Sequence, residues 1–145
     1  MIPIEPLRGW RTGRYRLVAS SAAAKGEWDT FVRKLPKAMK GVYERLSEHP
    51  LDVYGTRQFP LKGKHNKPFW EYEISGGDRL YYAVDLHQQV IVVSVMPHAT
   101  RSEPMTKRVR DRRDAFDGLV AAQQAEAALR APDPPAPVRA RRRKR

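Results

Sequence analysis

Apolar positions along the chain change period several times, and each change predicts an element. Residues 14–19 alternate, with Tyr15, Leu17 and Ala19 on one side, and predict a short strand. Ser20 or Ser21 then offers a hydroxyl that can accept an orphan helix N–H. Ala24, Trp28, Phe31, Val32 and Leu35 recur at helical spacing and predict a helix from Ala22 to Leu35. Pro36 suits the first turn of a second helix, in which Met39, Val42, Tyr43 and Leu46 share one side before His49-Pro50. Two helices joined near Pro36 form a hairpin that can lie across one face of a sheet.

Residues 51–68 show no period, hold Gly55, Pro60, Gly63 and Pro68, and read as a surface loop. Alternation returns at residues 69–74, where Trp70, Tyr72 and Ile74 face one way and Phe69, Glu71 and Glu73 the other. After Ser75-Gly76-Gly77, residues 79–84 alternate again: Leu80, Tyr82 and Val84 against Arg79, Tyr81 and Ala83. Residues 85–89 form a polar turn, and residues 90–96 are an apolar run of the kind found in buried central strands. Three strands with short turns make an antiparallel meander. A two-residue Gly-Gly loop would set Ile74 opposite Arg79, mixing apolar and charged faces. A three-residue loop over residues 75–77 sets Ile74 opposite Asp78, Glu73 opposite Arg79, Tyr72 opposite Leu80 and Trp70 opposite Tyr82. That register sorts the faces, because a one-residue slip flips every side chain. The apolar face then meets the helical hairpin, and Glu71, Glu73, Arg79 and Tyr81 share the other.

Ser102, with Pro104 in the first turn, opens a C-terminal helix in which residues 107–113 are strongly basic. Phe116, Leu119, Val120 and Ala127 follow at loose helical spacing, and Pro132 stops it. The prediction is an α+β domain over residues 14–131: an N-terminal strand and helical hairpin packed on an antiparallel meander, with a C-terminal helix. Residues 1–13 read as an irregular leader. Residues 132–145, rich in Pro and Arg and poor in apolar side chains, read as a disordered tail.

Charge changes this picture more than size does. The 145 residues carry 28 Lys+Arg against 16 Asp+Glu, a formal +12. The tail holds six basic residues against Asp133, so the remaining body is itself basic at +7. A polyanion, most simply nucleic acid, is the expected partner. The chain has no cysteine, which excludes disulfide scaffolds, thiolate metal sites and cysteine nucleophiles. No apolar run reaches the ~18 residues of a membrane span, and the first residues lack the apolar core of a signal peptide. A cytoplasmic protein is expected.

Arg79, Glu71, Glu73, Tyr81 and His98 are the side-chain types that metal-free RNA cleavage uses. A base takes the proton of the ribose 2′-OH, an acid protonates the 5′-oxygen, and a cation steadies the phosphate. His98 is of the residue type that can titrate near neutral pH, and Arg79 offers a fork to phosphate oxygens. Tyr81 can stack on a base. Lys62, Lys64 and Lys67 can hold the backbone. Each also has a structural reading: Glu73 opposite Arg79 is an ordinary cross-strand ion pair, and His98 can simply end a strand. His49, His65, His87 and His98 lack metal-ligand spacing, so neither a metal nor a cofactor is expected.

Leu61-Lys62-Gly63, the strand Phe69-Trp70-Glu71-Tyr72-Glu73-Ile74, the stretch Ser75-Gly76-Gly77-Asp78-Arg79-Leu80-Tyr81-Tyr82-Ala83-Val84-Asp85 and the run to Pro97-His98 resemble the RelE/ParE toxin superfamily. The resemblance covers about residues 14–113. It implies a small toxin held inactive by a cognate antitoxin, with a heterotetramer as one form of that assembly. RelE-like members cut mRNA in the ribosomal A site, whereas ParE-like members poison DNA gyrase. Arg79 matches the phosphate-stabilising arginine, His98 falls at an acid–base position, and Lys62 and Lys64 lie in a loop that contacts mRNA or ribosome. Glu71 and Glu73 depart from the lysines of the best-known RelE-type sites, and no tyrosine near Pro104 matches the last helix. The leading expectation is a ribosome-dependent mRNA endoribonuclease with Glu71 or Glu73 as base. The alternatives are a gyrase poison without nuclease chemistry and a non-toxic nucleic-acid-binding regulator.

Overall fold

In the computed structural model, residues 1–62 and 68–97 are described, together with positions 121, 125 and 129. Ser21 caps the first helix, its hydroxyl accepting the Ala24 N–H at 3.1 Å, and α1 runs over Ala22–Lys34. Pro36 opens the second helix, α2, over Pro36–Glu48. A proline pushes the residue before it out of helical backbone. Leu35 accordingly sits at φ −133°, ψ 64° and ends one helix while starting the next.

Among the described residues six strands form one sheet: β1 (Ile2–Pro3), β2 (Arg16–Ala19), β3 (Gln58–Pro60), β4 (Trp70–Ser75), β5 (Asp78–Val84) and β6 (Gln89–Met96). Their spatial order is β1-β2-β6-β5-β4-β3. The expected meander β4-β5-β6 is present. Strand β6 is central and pairs with β2 in parallel, a partnership that sequence pattern does not reveal. Its apolar run is explained by burial on both faces: Val90, Val92 and Val95 join one apolar cluster, and Ile91, Val93 and Met96 join a second. The first cluster lies under the helices and includes Trp28, Phe31, Met39, Val42, Tyr43, Leu46, Tyr72, Ile74, Leu80 and Tyr82. The predicted apolar face of the meander is therefore the one that meets the hairpin. Beyond Val92, β6 has no neighbouring strand on the β2 side among the described residues. There the Glu27 carboxylate of α1 accepts the Val95 N–H at 3.0 Å.

Three expectations need correction. The turn between β4 and β5 has two residues, Gly76 and Gly77, both at positive φ (59° and 90°) as a tight hairpin turn requires. The face-sorting register is nonetheless kept: Trp70, Tyr72 and Glu73 oppose Tyr82, Leu80 and Arg79. A bulge reconciles the two, because Ser75, not Ile74, opposes Asp78 and Ile74 is the extra residue, packed into the core. Second, the stretch read as a loop over residues 51–68 contains β3, which pairs with β4. Third, residues 1–13 are not wholly irregular. Ile2–Pro3 pairs with β2, Ile4 is 4% exposed, and Trp10 packs on Tyr43. Glu44 of α2 clamps the leader by accepting the Arg11 backbone N–H at 2.8 Å and pairing with the Arg11 and Lys40 side chains. That backbone bond, with the two cations, holds its carboxyl below the usual range.

The predicted C-terminal helix from Ser102 and the tail lie outside the described residues, except Ala121, Ala125 and Leu129, which are helical and exposed.

Candidate nucleic-acid interface

The face of the sheet turned away from α1 and α2 carries four of the expected site residues. Register aligns its side chains in rows that cross the strands. One row runs Phe59, Glu71, Tyr81 and Ser94 over β3, β4, β5 and β6. The next runs Glu73, Arg79 and Met96. Sequence alternation placed Glu71, Glu73, Arg79 and Tyr81 on this face, and the structure does bring the four together.

Their environments differ sharply. Glu71 and Tyr81 are buried, at 6% and 5% exposure, whereas Glu73 and Arg79 are half-buried. Arg79 Nη1 donates to the Glu71 carboxylate, so the ion pair is diagonal and does not join the directly opposed Glu73. The Tyr81 hydroxyl also donates to Glu71, and burial together with that negative neighbour pushes the phenol up to about 12. Glu71 thus binds two donors at once. A carboxylate so engaged orients Arg79 and is poorly placed to take a proton from a substrate. The Glu73 carboxylate makes no ion pair among the described residues. The Arg79 Nε and the Ser94 hydroxyl are buried and have no hydrogen-bond partner among them. Buried polar groups are normally hydrogen-bonded, so these two atoms stand out.

Beside this cluster lies an open cavity of about 1160 Å³. Arg79 and Glu73 line it on the sheet side, and Lys62 follows β3 on its wall. Phe59, Leu61 and Trp70 give it an apolar lining, and the exposed Val53 stands at its rim. Trp70 stacks on Tyr82 with ring centroids 6.1 Å apart, which fixes its plane. Tyr82 has a structural role: its hydroxyl donates to the Pro50 carbonyl at 2.6 Å and accepts from Gln58 at 2.9 Å. Gln58 in turn accepts from Arg45 and donates to the His49 carbonyl. This buried network ties β3, and hence the cavity wall, to the end of α2.

His98, Lys64 and Lys67 lie outside the described residues. Among the described residues no group of three or more acidic or histidine side chains is placed to hold a metal, and no helix is long and apolar enough to cross a membrane. Sequence reading missed Phe59 and Ser94. Phe59 sat in a stretch without period, and Ser94 was one polar residue in an apolar run; only cross-strand register aligns them with Glu71.

Toxins stand among the solved structures that the chain is similar to. They include a YoeB/ParE toxin from Agrobacterium tumefaciens, at 20% identity and TM-score 0.47, over 57% of this chain and 96% of that one. A YoeB dimer from Staphylococcus aureus has the same identity and TM-score, over 59% of this chain and 99% of that one. A YoeB–YefM complex from Staphylococcus aureus is 18% identical at TM-score 0.47, over 59% and 99%. No family model matches the sequence, and no curated protein matches it.

Proposed function

We propose that the protein is the toxin of a toxin–antitoxin pair and acts as an mRNA endoribonuclease on translating ribosomes. The observation that carries this reading is the cluster around Arg79: a guanidinium aimed by a buried carboxylate, with a second carboxylate, unpaired among the described residues, and Lys62 on the same cavity. In the proposed reaction Glu73 takes the proton of a ribose 2′-OH, and the 2′-oxygen attacks the adjacent phosphorus. Arg79 steadies the charge that builds on the phosphate oxygens. The P–O5′ bond breaks, and His98 returns a proton to the leaving 5′-oxygen. The products are a 2′,3′-cyclic phosphate and a 5′-hydroxyl. Because the nucleophile belongs to the RNA, the reaction needs no metal-bound water. Glu71 is a positioning residue. With so few groups to orient free RNA, the ribosome supplies the alignment. The inhibitory partner in this reading is an acidic antitoxin segment, drawn to the +7 body.

The test is induced expression followed by primer extension on a reporter mRNA. Arg79→Ala alone is a poor control, since it leaves Glu71 buried without its cation, at a cost of roughly 3–5 kcal/mol. Arg79→Ala combined with Glu71→Gln removes the charge pair together and should stay folded. Cuts in phase with codons are expected from wild type and none from the double variant. Glu73→Gln should slow cutting by about 10²–10⁴-fold. Intact mRNA with arrested growth and broken DNA would replace this reading with a gyrase poison. Equal cutting by the folded double variant would remove Arg79 from the chemistry.

A further inference from the structure

The cavity beside Arg79 has more apolar wall than phosphate chemistry uses. Phe59 faces it from β3, half-buried, and belongs to neither buried apolar cluster. Its ring therefore contributes to the cavity lining and not to the core. Trp70 also lines it, from the helix-side face of the sheet, where it stacks on Tyr82. Val53 also lines it, at 64% exposure. Arg79 stands at the sheet side and Lys62 on the wall, and Glu73 is the carboxylate that lines the cavity among the described residues. An apolar slot with an aromatic wall and cationic margins fits a planar heterocycle attached to a phosphate backbone.

We propose that this cavity is a base pocket for single-stranded RNA, in which one unpaired nucleobase lies against Phe59 while its flanking phosphate meets Arg79. The inference deepens the ribonuclease reading and rests on it for the choice of RNA. A duplex is excluded chemically, because paired bases cannot turn a face into a side pocket. Stacking on aromatic rings is tolerant of base identity. The pocket accordingly gives hold and alignment to the nucleotide beside the scissile phosphate, and any base preference comes from its size. The proposal also explains why Phe59 is placed in the row of Glu71 and Tyr81: the ring that holds the base and the carboxylate that aims Arg79 are adjacent across one strand pair.

The test measures binding without cleavage. The probe is a short single-stranded RNA with 2′-fluoro riboses, which removes the nucleophile, labelled for fluorescence anisotropy with the full chain. Its counterpart has the same length and charge but abasic sugars. Wild type should bind the base-bearing strand about tenfold or more tighter, the size of one stacked base. Phe59→Ala should erase that difference, and Phe59→Trp should restore it. Arg79→Ala with Glu71→Gln should weaken both strands alike. Equal wild-type affinity for the two strands would overturn the proposal, as would a Phe59→Ala protein that keeps the full difference. Binding of an acidic, apolar peptide that needs Phe59, with RNA indifferent to it, would overturn it in favour of a protein-docking groove. Failure here is separable from failure of the ribonuclease reading: codon-phased cuts with no base dependence sink the pocket alone, and base-dependent binding with intact cellular mRNA sinks the nuclease alone.

Discussion

Glu71 and Glu73 are indistinguishable in the sequence: same residue type, same strand, same face. Burial separates them. A buried carboxylate must be paired or it destabilises the fold, so Glu71 recruits Arg79 from a diagonal position and Tyr81 from directly across. Glu73 is half-exposed, within reach of solvent, and makes no ion pair among the described residues. Register does set Glu73 directly opposite Arg79, but the buried Glu71 takes the guanidinium. The same burial governs Tyr81, whose phenol is raised from 10.0 to about 12. A group with a raised folded-state value contributes stability that is full below its unfolded value and lost as pH climbs towards the folded one. Tyr81 should thus cost stability between pH 10 and about 12, at about 1.4 kcal/mol per pH unit for its one proton. Denaturant midpoints measured from pH 9 upward should fall less steeply for Tyr81→Phe than for wild type. Parallel pH slopes would mean that Tyr81 is not desolvated.

At the scale of elements, the two helices and the three meander strands were legible because each carries its own period and its own stop signal. Strands β1 and β3 were not. Two or three residues cannot display alternation, and both exist only because a longer strand offers them an edge. The Gly76-Gly77 turn was legible as a turn but not in its length, since a bulge at Ile74 absorbs the residue that a loop would otherwise carry. Gly13 shows how the leader is seated. A Cβ there would meet the Ser47 carbonyl oxygen at 2.5 Å, while the Gly13 and Tyr15 N–H groups donate to Ser47 Oγ and its carbonyl at 2.9 Å. The obstacle is helix backbone, which cannot step aside. Gly13→Ala is expected to lower stability by about 1–3 kcal/mol, read by urea unfolding, whereas Gly26→Ala, with open space around it, should not. An unchanged midpoint in Gly13→Ala would show that the leader is not docked against α2.

For the whole molecule, charge is the property that composition alone supplies, and it acts at long range. The tail and the body divide the +12 unequally, and the body keeps +7 without the tail. Deleting residues 132–145 should therefore reduce the dependence of RNA affinity on salt, because fewer counterions are released. It should leave the preference for base-bearing over abasic RNA intact, since that preference belongs to the cavity. Anisotropy titrations over a range of salt concentrations check both. Loss of all affinity in the truncated chain would assign binding to the tail and favour the regulator reading.

Periodicity, breakers and net charge were properties of the chain itself: two helices, a meander, its faces, a basic body and the set of residues that share a face with Arg79. Those follow from interactions between near neighbours, which a sequence displays directly. The parallel pairing of β2 with β6, the strand β3 that walls the cavity, the buried state of Glu71 and Tyr81, and the row that brings Phe59 beside them depended on residues far apart in the chain. Only the folded sheet brings such residues into contact, and only contact sets how much water each carboxylate, phenol and aromatic ring retains.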